Sequence, residues 1–312
     1  MRGGIPAFTA LDFDVDAYGE AATHHSTILV FLSIPLMMRC VEWAVHGNVI
    51  STSSQIVCGT GVVYFFVAVL CLGSVLTGWT FYAPAVYIIE DIAFVELILV
   101  GIILALLVIL AELYVYVVDA APHKSTICSS LFVGAVFGLF ILPILVLTIL
   151  LLILDRFFST SVLDYPLGSP YIYEVLFWVF GHPEVYFLIL PFAGLFVFSR
   201  SVNAFAGTSR AGSGLEVADL VSRIAVLSFL VWGHHLFINL TSFLATLFFA
   251  LASLYIMIPM FDVVLYAFAR TGPTRSVGVD VFVLFRYLLY FSATSFFVGG
   301  ILALGFLGSS TA

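Results

Sequence analysis

Long apolar runs recur from one end of this 312-residue chain to the other. Only 9% of the residues are charged and 63% are hydrophobic, whereas about 25% of the residues in a soluble domain are charged. A helix needs about 20 apolar residues to cross the hydrocarbon core of a bilayer. Since the runs reach that length repeatedly, the sequence predicts a membrane protein. Its spans should be α-helices, because a helix satisfies its own backbone hydrogen bonds in lipid.

Breaks rich in glycine, proline, serine and charge divide the chain into eight predicted spans. The predicted fold class is therefore all-α, a polytopic transmembrane helix bundle. We expect an N-terminal tail at 1–20 and a single membrane bundle at 21–312, because the connecting loops are short. The spans are predicted near 22–44, 56–77, 91–119, 127–154, 171–199, 217–240, 242–269 and 279–308.

Basic loop residues predict the orientation of the bundle. They are concentrated in the loops after the odd-numbered spans, and membrane proteins keep Lys and Arg on the cytoplasmic or matrix side. The N-terminal tail should therefore face outward. The basic residues are Lys124, Arg200, Arg210, Arg270 and Arg275 on the inner side, against Arg2 and Arg156 on the outer side.

Net charge argues against nucleic-acid binding, and cysteine spacing argues against a cysteine metal site or a disulfide. A net charge of −8 argues against nucleic acid as a partner, because proteins that bind it are basic. The cysteines show no CxxC spacing, so we interpret them as packing residues rather than metal ligands or disulfides. They are Cys40, Cys58, Cys71 and Cys128.

Three histidines stand in otherwise apolar segments. His182 lies in FWVFGHPEVYFLILPF at 177–192, and the adjacent pair His234 and His235 lies in VWGHHLF. A single histidine of this kind is as often hydrogen-bonded to a neighbouring helix as it is functional, but three together favour a metal site. Neutral imidazole suits copper, zinc and iron, and the depth of the residues favours redox copper or iron over structural zinc.

Two more polar residues accompany His182. Tyr186 follows it by four residues, so both side chains lie on one helical face. Glu184 is rotated from His182 by about 200° and points elsewhere. A phenol beside a metal can give up an electron and a proton, and a carboxyl group can carry protons. The alternative for Glu184 is a polar residue satisfied by the backbone near Pro183.

These motifs resemble the copper-site helices of the haem–copper oxidases, and among them cytochrome c oxidase subunit I. The resemblance covers nearly the whole chain after residue 20 and implies the second to ninth helices of a twelve-helix fold. The further segments that are similar to the family are HHSTILVFLSIPLMM, LTGWTFYAPA, LPILVLTILLLILDRFFSTSVLD, IMIP and VGGILALGFLGSS.

The resemblance implies a role for each matching residue. His182, His234 and His235 would bind copper B. Tyr186 would be covalently joined to His182 and would donate an electron and a proton, while Glu184 would carry protons.

Haem binding is implied in the same way. His24 would be an axial ligand of the low-spin haem a, and Trp79 would lie near the haem edge. Trp178 would be the aromatic residue beside the copper site, and plain packing is the alternative for both tryptophans. No HxH pair occurs in this sequence, so the ligand of the haem a3 iron is expected from another chain.

The activity that the resemblance implies is that of a terminal respiratory oxidase, which reduces O2 to water at a haem a3–copper B centre with electrons from cytochrome c. Coupling to proton translocation is also implied by the resemblance, but the sequence departs from the family at two positions of the proton route. The family's channel lysine falls on Val263, with Asp262 beside it as a substitute, and no Asp lies between residues 44 and 78 where the family has an entrance carboxylate.

The implied partners follow from the missing helices. We expect a complementary subunit I fragment that carries the HxH ligands, oxidase subunits II and III, cytochrome c bound through subunit II, and membrane lipids. The expected location is the mitochondrial inner membrane, as a multi-pass protein with its N-terminus toward the intermembrane space. A bacterial cytoplasmic membrane is the alternative.

Two other classes of function remain open at this point. A histidine-lined transporter of metal ions or protons would explain histidine and glutamate inside the membrane. A non-catalytic structural remnant of an oxidase would explain the incomplete ligand set. The first predicts metal flux without haem, and the second predicts an assembled complex without copper.

Overall fold

The computed structural model describes residues 80–82, 86, 92–120, 126–204, 214–237, 239–240, 242–269 and 298. Over these residues every regular element is a helix, as the sequence predicts. The tail predicted at 1–20 and the spans predicted at 22–44 and 56–77 lie outside the described residues, as does nearly all of 279–308.

Five α-helices and one 3₁₀ segment make up the described part of the chain. Four of the helices begin and end within a few residues of the predicted spans. The elements are α1 (Ile92–Ala120), α2 (Thr126–Phe158), α3 (Pro170–Ala204), α4 (Gly214–Ser228), the 3₁₀ segment Trp232–Leu236 and α5 (Phe243–Ala269).

Three of the described helices contain segments that are long and apolar enough to cross a membrane. They are Ile98–Val118 in α1, Ser130–Phe158 in α2 and Phe243–Val263 in α5. Large apolar side chains on these helices are exposed, for example Phe140 and Leu244, and extended apolar surface of this kind is typical of contact with lipid. The prediction of an all-α membrane protein is confirmed.

The span predicted at 217–240 is not one continuous helix. α4 ends at Ser228, and the amides of Phe229 and Leu230 bond to carbonyls three residues earlier, which is the tighter spacing of a 3₁₀ turn. The Ser228 hydroxyl donates to the Ala225 carbonyl at 2.7 Å, a local bond that competes with the regular helical ladder. The break places the adjacent histidine pair on the 3₁₀ segment instead of a long helix.

The described residues belong to two compact units. The first contains 92–109 and 146–173, and the second contains 110–145 and the described residues from 174 onward.

In the first unit, Asp155 holds the loop that follows α2. Its carboxylate accepts hydrogen bonds from the backbone amides of Val162 at 2.8 Å and Leu163 at 2.6 Å, and from the Thr160 hydroxyl. These bonds compensate the burial of a carboxylate. The amides of Val162 and Leu163 are therefore satisfied within the loop that leads to α3.

In the second unit, close contacts with glycine bring the helices together. A Cβ atom at Gly138 of α2 would lie 2.5 Å from the ring of Phe187 on α3 and 2.7 Å from Leu113 on α1. The ring of Phe137 meets that of Phe229 edge to face, with centroids 5.3 Å apart. α5 also packs against both α4 and the 3₁₀ segment, and this packing sets the position of the candidate site.

Candidate metal centre

Helix α3 supplies the first candidate ligand, His182. The residue is buried, with 7% of its surface exposed. Gly181 leaves room for the Trp178 indole of the same helix, since a Cβ atom at that position would lie 3.0 Å from that ring. Because residues four apart share a helical face, α3 presents Trp178, His182 and Tyr186 on one side.

The 3₁₀ segment supplies His234 and His235. The ring centroid of His182 lies 4.4 Å from that of His234 and 5.2 Å from that of His235. Gly233 precedes the pair and passes directly over the ring of Phe249 on α5, where a Cβ atom would overlap that ring. Glycine therefore allows the segment to approach α5 closely enough to direct both histidines toward α3.

The three histidines form one cluster of candidate metal ligands. One ring nitrogen from each lies within 4.8 Å of the others, and His182 Nδ1 is 3.0 Å from His235 Nε2. Two imidazole nitrogens at about 2.0–2.1 Å from one ion are about 3 Å apart when they meet it near a right angle. The observed separation of this pair therefore fits a shared metal ion.

Ser253 of α5 determines which nitrogen of His234 faces the cluster. His234 Nδ1 is 2.7 Å from the Ser253 hydroxyl oxygen, and that hydroxyl donates to the Phe249 carbonyl at 2.6 Å. A serine hydroxyl has one hydrogen to donate, so its oxygen accepts the Nδ1–H of His234. The Nε2 atom of His234 is then the one with a lone pair available for a metal.

Trp178 packs flat against His235. The ring centroids are 3.8 Å apart and the ring planes differ by 6°. The position of Trp178 on α3 is itself fixed by an edge-to-face contact with Phe177, whose ring centroid is 5.4 Å away. One face of the His235 imidazole is therefore covered by indole, which restricts the rotation of the ring.

Tyr186 occupies the other side of His182. Its hydroxyl oxygen is 3.1 Å from His182 Nε2, and the tyrosine is buried, with 2% of its surface exposed. Since Nε2 faces the phenol, Nδ1 is the nitrogen of His182 that faces the other two histidines. The phenol is thus one imidazole ring away from the proposed ion.

Glu184 follows His182 closely in sequence but does not join the cluster. Glu184 is buried, with 4% exposed, two residues after His182 and therefore on a different face of α3. The cluster is asymmetric, because His182 is buried, His234 half-buried and His235 exposed. Access to the ligand atoms is therefore from the side of His235.

Five of the eight residues singled out from the sequence meet in this cluster: His182, His234, His235, Tyr186 and Trp178. Glu184 is nearby in sequence but faces elsewhere. His24 and Trp79 lie outside the described residues.

Sequence reasoning missed Ser253. The signal was a serine in the apolar run of α5, 3% exposed in the structure, but the sequence alone did not identify its partner.

Comparison with known proteins identifies the family of the chain. The family described as "Cytochrome C and Quinol oxidase polypeptide I" matches residues 5–310. The chain belongs to the haem–copper oxidase subunit I family. Haem and copper are the cofactors of this family.

Individual haem–copper oxidase relatives match parts of the chain. It is 41% identical over 129 residues to cytochrome c oxidase subunit 1 of Bacillus subtilis, which covers 41% of the chain and 20% of the relative. It is 27% identical over 270 residues to quinol oxidase subunit 1 of the same species, covering 79% and 41%. Cytochrome c oxidase subunit 1 of Debaryomyces hansenii is 31% identical over 166 residues, covering 52% and 30%. The matched region is thus less than half the length of each of these relatives.

The donor set fits the copper of a haem–copper oxidase subunit I. Three neutral imidazoles are a ligand set that copper accepts, and the orientation of His182 and His234 leaves one nitrogen of each facing the cluster. Among the described residues these three are the only histidines. Since all three belong to the cluster, no further histidine is left in the described part of the chain to serve as an axial haem ligand.

Proposed function

We propose that the chain forms the copper site in the catalytic subunit of a terminal respiratory oxidase, which reduces O2 to water with electrons from cytochrome c. The observation that carries the proposal is the convergence of three imidazoles, with ring nitrogens within 4.8 Å of one another, beside a buried phenol. The relatives include cytochrome c and quinol oxidase subunits. Cytochrome c is the proposed donor and quinol is the alternative.

The metal ligands in this proposal are His182 through Nδ1 and His234 and His235 through Nε2. When bound, copper supplies a redox-active centre for oxygen chemistry. Ser253 keeps Nε2 of His234 directed at the cluster, because its hydroxyl accepts the proton on Nδ1. Trp178 covers one face of His235 and keeps water from that face.

The remaining residues move protons and an electron. Reduction of one O2 to two water molecules takes four electrons and four protons, and the electrons are supplied by reduced cytochrome c. Tyr186 donates one of these electrons together with a proton. The phenol is afterwards restored by an electron from cytochrome c and by a proton delivered through Glu184. The hydrogen-bonding distance of 3.1 Å to His182 Nε2 supports this role. Glu184 delivers protons from a second face of α3.

The haem sites need residues beyond those described. His24 is the proposed axial ligand of haem a, with Trp79 near the haem edge. The sequence has seven histidines and no HxH pair, so the proposed haem a3 ligand comes from residues outside this sequence. Subunits II and III complete the assembly, in the mitochondrial inner membrane or, as the alternative, in a bacterial cytoplasmic membrane. The N-terminus is proposed to face the outer side.

Metal analysis of the purified complex tests the proposal. The complex that contains this chain is isolated in detergent, and copper, haem and O2 consumption are measured with reduced cytochrome c or reduced quinol as donor. We expect copper and haem together, and loss of copper in His182→Ala. Val185→Ala is the matched control, because Val185 lies on the same helix with an exposed side chain. Metal flux without haem would instead identify a transporter.

A further inference from the structure

A groove lies between α4 and α5, apart from the metal centre. It encloses a volume of about 450 Å3 in the unit that contains the metal centre, and no residue of that centre lines it. The residues that line it include Arg223, Val226 and Leu227 from α4, and Tyr255, Ile258 and Asp262 from α5.

One end of the groove is charged. Arg223 forms an ion pair with Asp219 at 2.7 Å, one turn away on α4, and both side chains are largely exposed. Asp262 lies across the groove on α5. Exposed charged side chains are costly inside hydrocarbon, so the charged end is expected at the level of the lipid headgroups.

The other end of the groove is apolar. Val226 and Leu227 line it from α4, and Ile258 lines it from α5. Tyr255 precedes Asp262 by seven residues, which is about 10 Å along a helix. The groove therefore runs from a charged end at the membrane boundary to an apolar end inside the hydrocarbon layer, in the same order as the headgroup and acyl chain of a phospholipid.

We propose that this groove binds a phospholipid whose headgroup carries both a phosphate and a primary ammonium group. The guanidinium of Arg223 has five N–H donors in a planar fork, and Asp219 engages it through one nitrogen. The other donors remain for a phosphate. The Asp262 carboxylate accepts hydrogen bonds from the ammonium group, and an acyl chain lies against Val226 and Ile258.

The balance of charge selects this class of lipid. Among the described residues around the charged end, Asp219 and Asp262 outnumber the single cation Arg223, so a purely anionic headgroup would meet excess negative charge. A headgroup with a quaternary ammonium has no N–H to donate to Asp262. The lipid site is independent of the proposed oxidase activity, because it shares no residue with the metal centre.

Lipid retention by the purified complex tests the proposal. The complex is exchanged into nanodiscs of equal parts phosphatidylethanolamine, phosphatidylcholine and phosphatidylglycerol. It is then extracted in mild detergent, and the retained lipid is quantified by mass spectrometry. We expect phosphatidylethanolamine to be enriched. The attraction between one basic residue and the lipid headgroups corresponds to about a fivefold change in affinity. Arg223→Gln should therefore weaken retention by that factor. Asp262→Asn should remove the preference for ethanolamine over choline.

A matched pair of apolar variants separates the groove from the rest of the α5 surface. Ile258→Trp fills the groove and should lower retention. Phe261→Trp should leave retention unchanged, since Phe261 is similarly exposed but does not line the groove.

Equal retention in Ile258→Trp and Phe261→Trp would overturn the proposal, as would enrichment of phosphatidylglycerol. Release of a co-purifying polypeptide by Ile258→Trp, without a change in lipid, would identify a protein interface and would also overturn it. None of these outcomes depends on whether the complex reduces oxygen.

Discussion

His234 Nδ1 lies 2.7 Å from the hydroxyl oxygen of Ser253, which in turn donates its hydrogen to the Phe249 carbonyl. This chain of two hydrogen bonds ties the candidate ligand to the backbone of α5. It fixes both the rotation of the imidazole and the nitrogen that carries the proton. Metal-binding histidines are commonly oriented through their second nitrogen in this way.

Removing that hydroxyl should weaken copper binding without removing a ligand. We expect Ser253→Ala to lower copper affinity by about 10–100-fold, the usual effect of losing a partner that orients a metal-binding histidine. Copper content is measured after dialysis against a graded series of chelator concentrations. Ser253→Thr retains the hydroxyl and is the control, and equal copper loss in the two variants would contradict the proposed orientation.

The stacked indole of Trp178 should hold His235 in its ligand position. Aromatic pairs contribute about 0.5–1.5 kcal/mol beyond the area they bury, so Trp178→Ala should speed copper dissociation by up to about tenfold. Dissociation is followed by chelator absorbance. Trp178→Phe preserves an aromatic face and should have a smaller effect. If alanine and phenylalanine variants both lose copper at the wild-type rate, the stacking does not support the ligand.

Tyr186 should matter for turnover more than for metal binding. Tyr186→Phe removes only the hydroxyl oxygen that lies 3.1 Å from His182 Nε2. We expect copper and haem contents to stay near wild type. O2 consumption should fall by about 10²–10⁴-fold, the range for loss of a group that transfers a proton in the reaction. Undiminished O2 consumption in this variant would rule out the proposed donation by the phenol.

Gly233 should be intolerant of a side chain. A Cβ atom there would overlap the Phe249 ring, so Gly233→Ala should cost about 1–3 kcal/mol of stability, as overpacking usually does. The change is measured as a lower Tm in detergent. Gly181→Ala is the milder comparison and should lower the Tm by less, because its nearest neighbour would lie at 3.0 Å and not overlap. A Tm reduced equally in both variants would mean that the position of Phe249 does not constrain the 3₁₀ segment.

The membrane class and most helix bounds were predictable because each depends on neighbouring residues. A run of about 20 apolar residues can satisfy its backbone in lipid only as a helix. The bounds of α1 and α5 follow directly from such runs. The proximity of His182 and Tyr186 was predictable for the same reason, since four residues is close to one helical turn.

The break after Ser228 shows where local patterns failed. The residues from 217 to 240 are apolar enough to suggest a single span, yet α4 ends at Ser228 and a 3₁₀ segment follows. The apolar pattern does not record that the Ser228 hydroxyl bonds to a carbonyl of its own helix. It also does not indicate that Gly233 lies against the Phe249 ring.

The sequence by itself determined that three histidines and a phenol lie inside a helical membrane protein, and through its motifs it indicated the family. Tertiary packing alone decided how the rings meet: His235 flat against Trp178, and His234 tied to Ser253. His234 and Ser253 are 19 positions apart in the sequence, and Trp178 and His235 lie on different elements. Side-chain orientation across such separations depends on how helices pack in three dimensions, which no local pattern encodes.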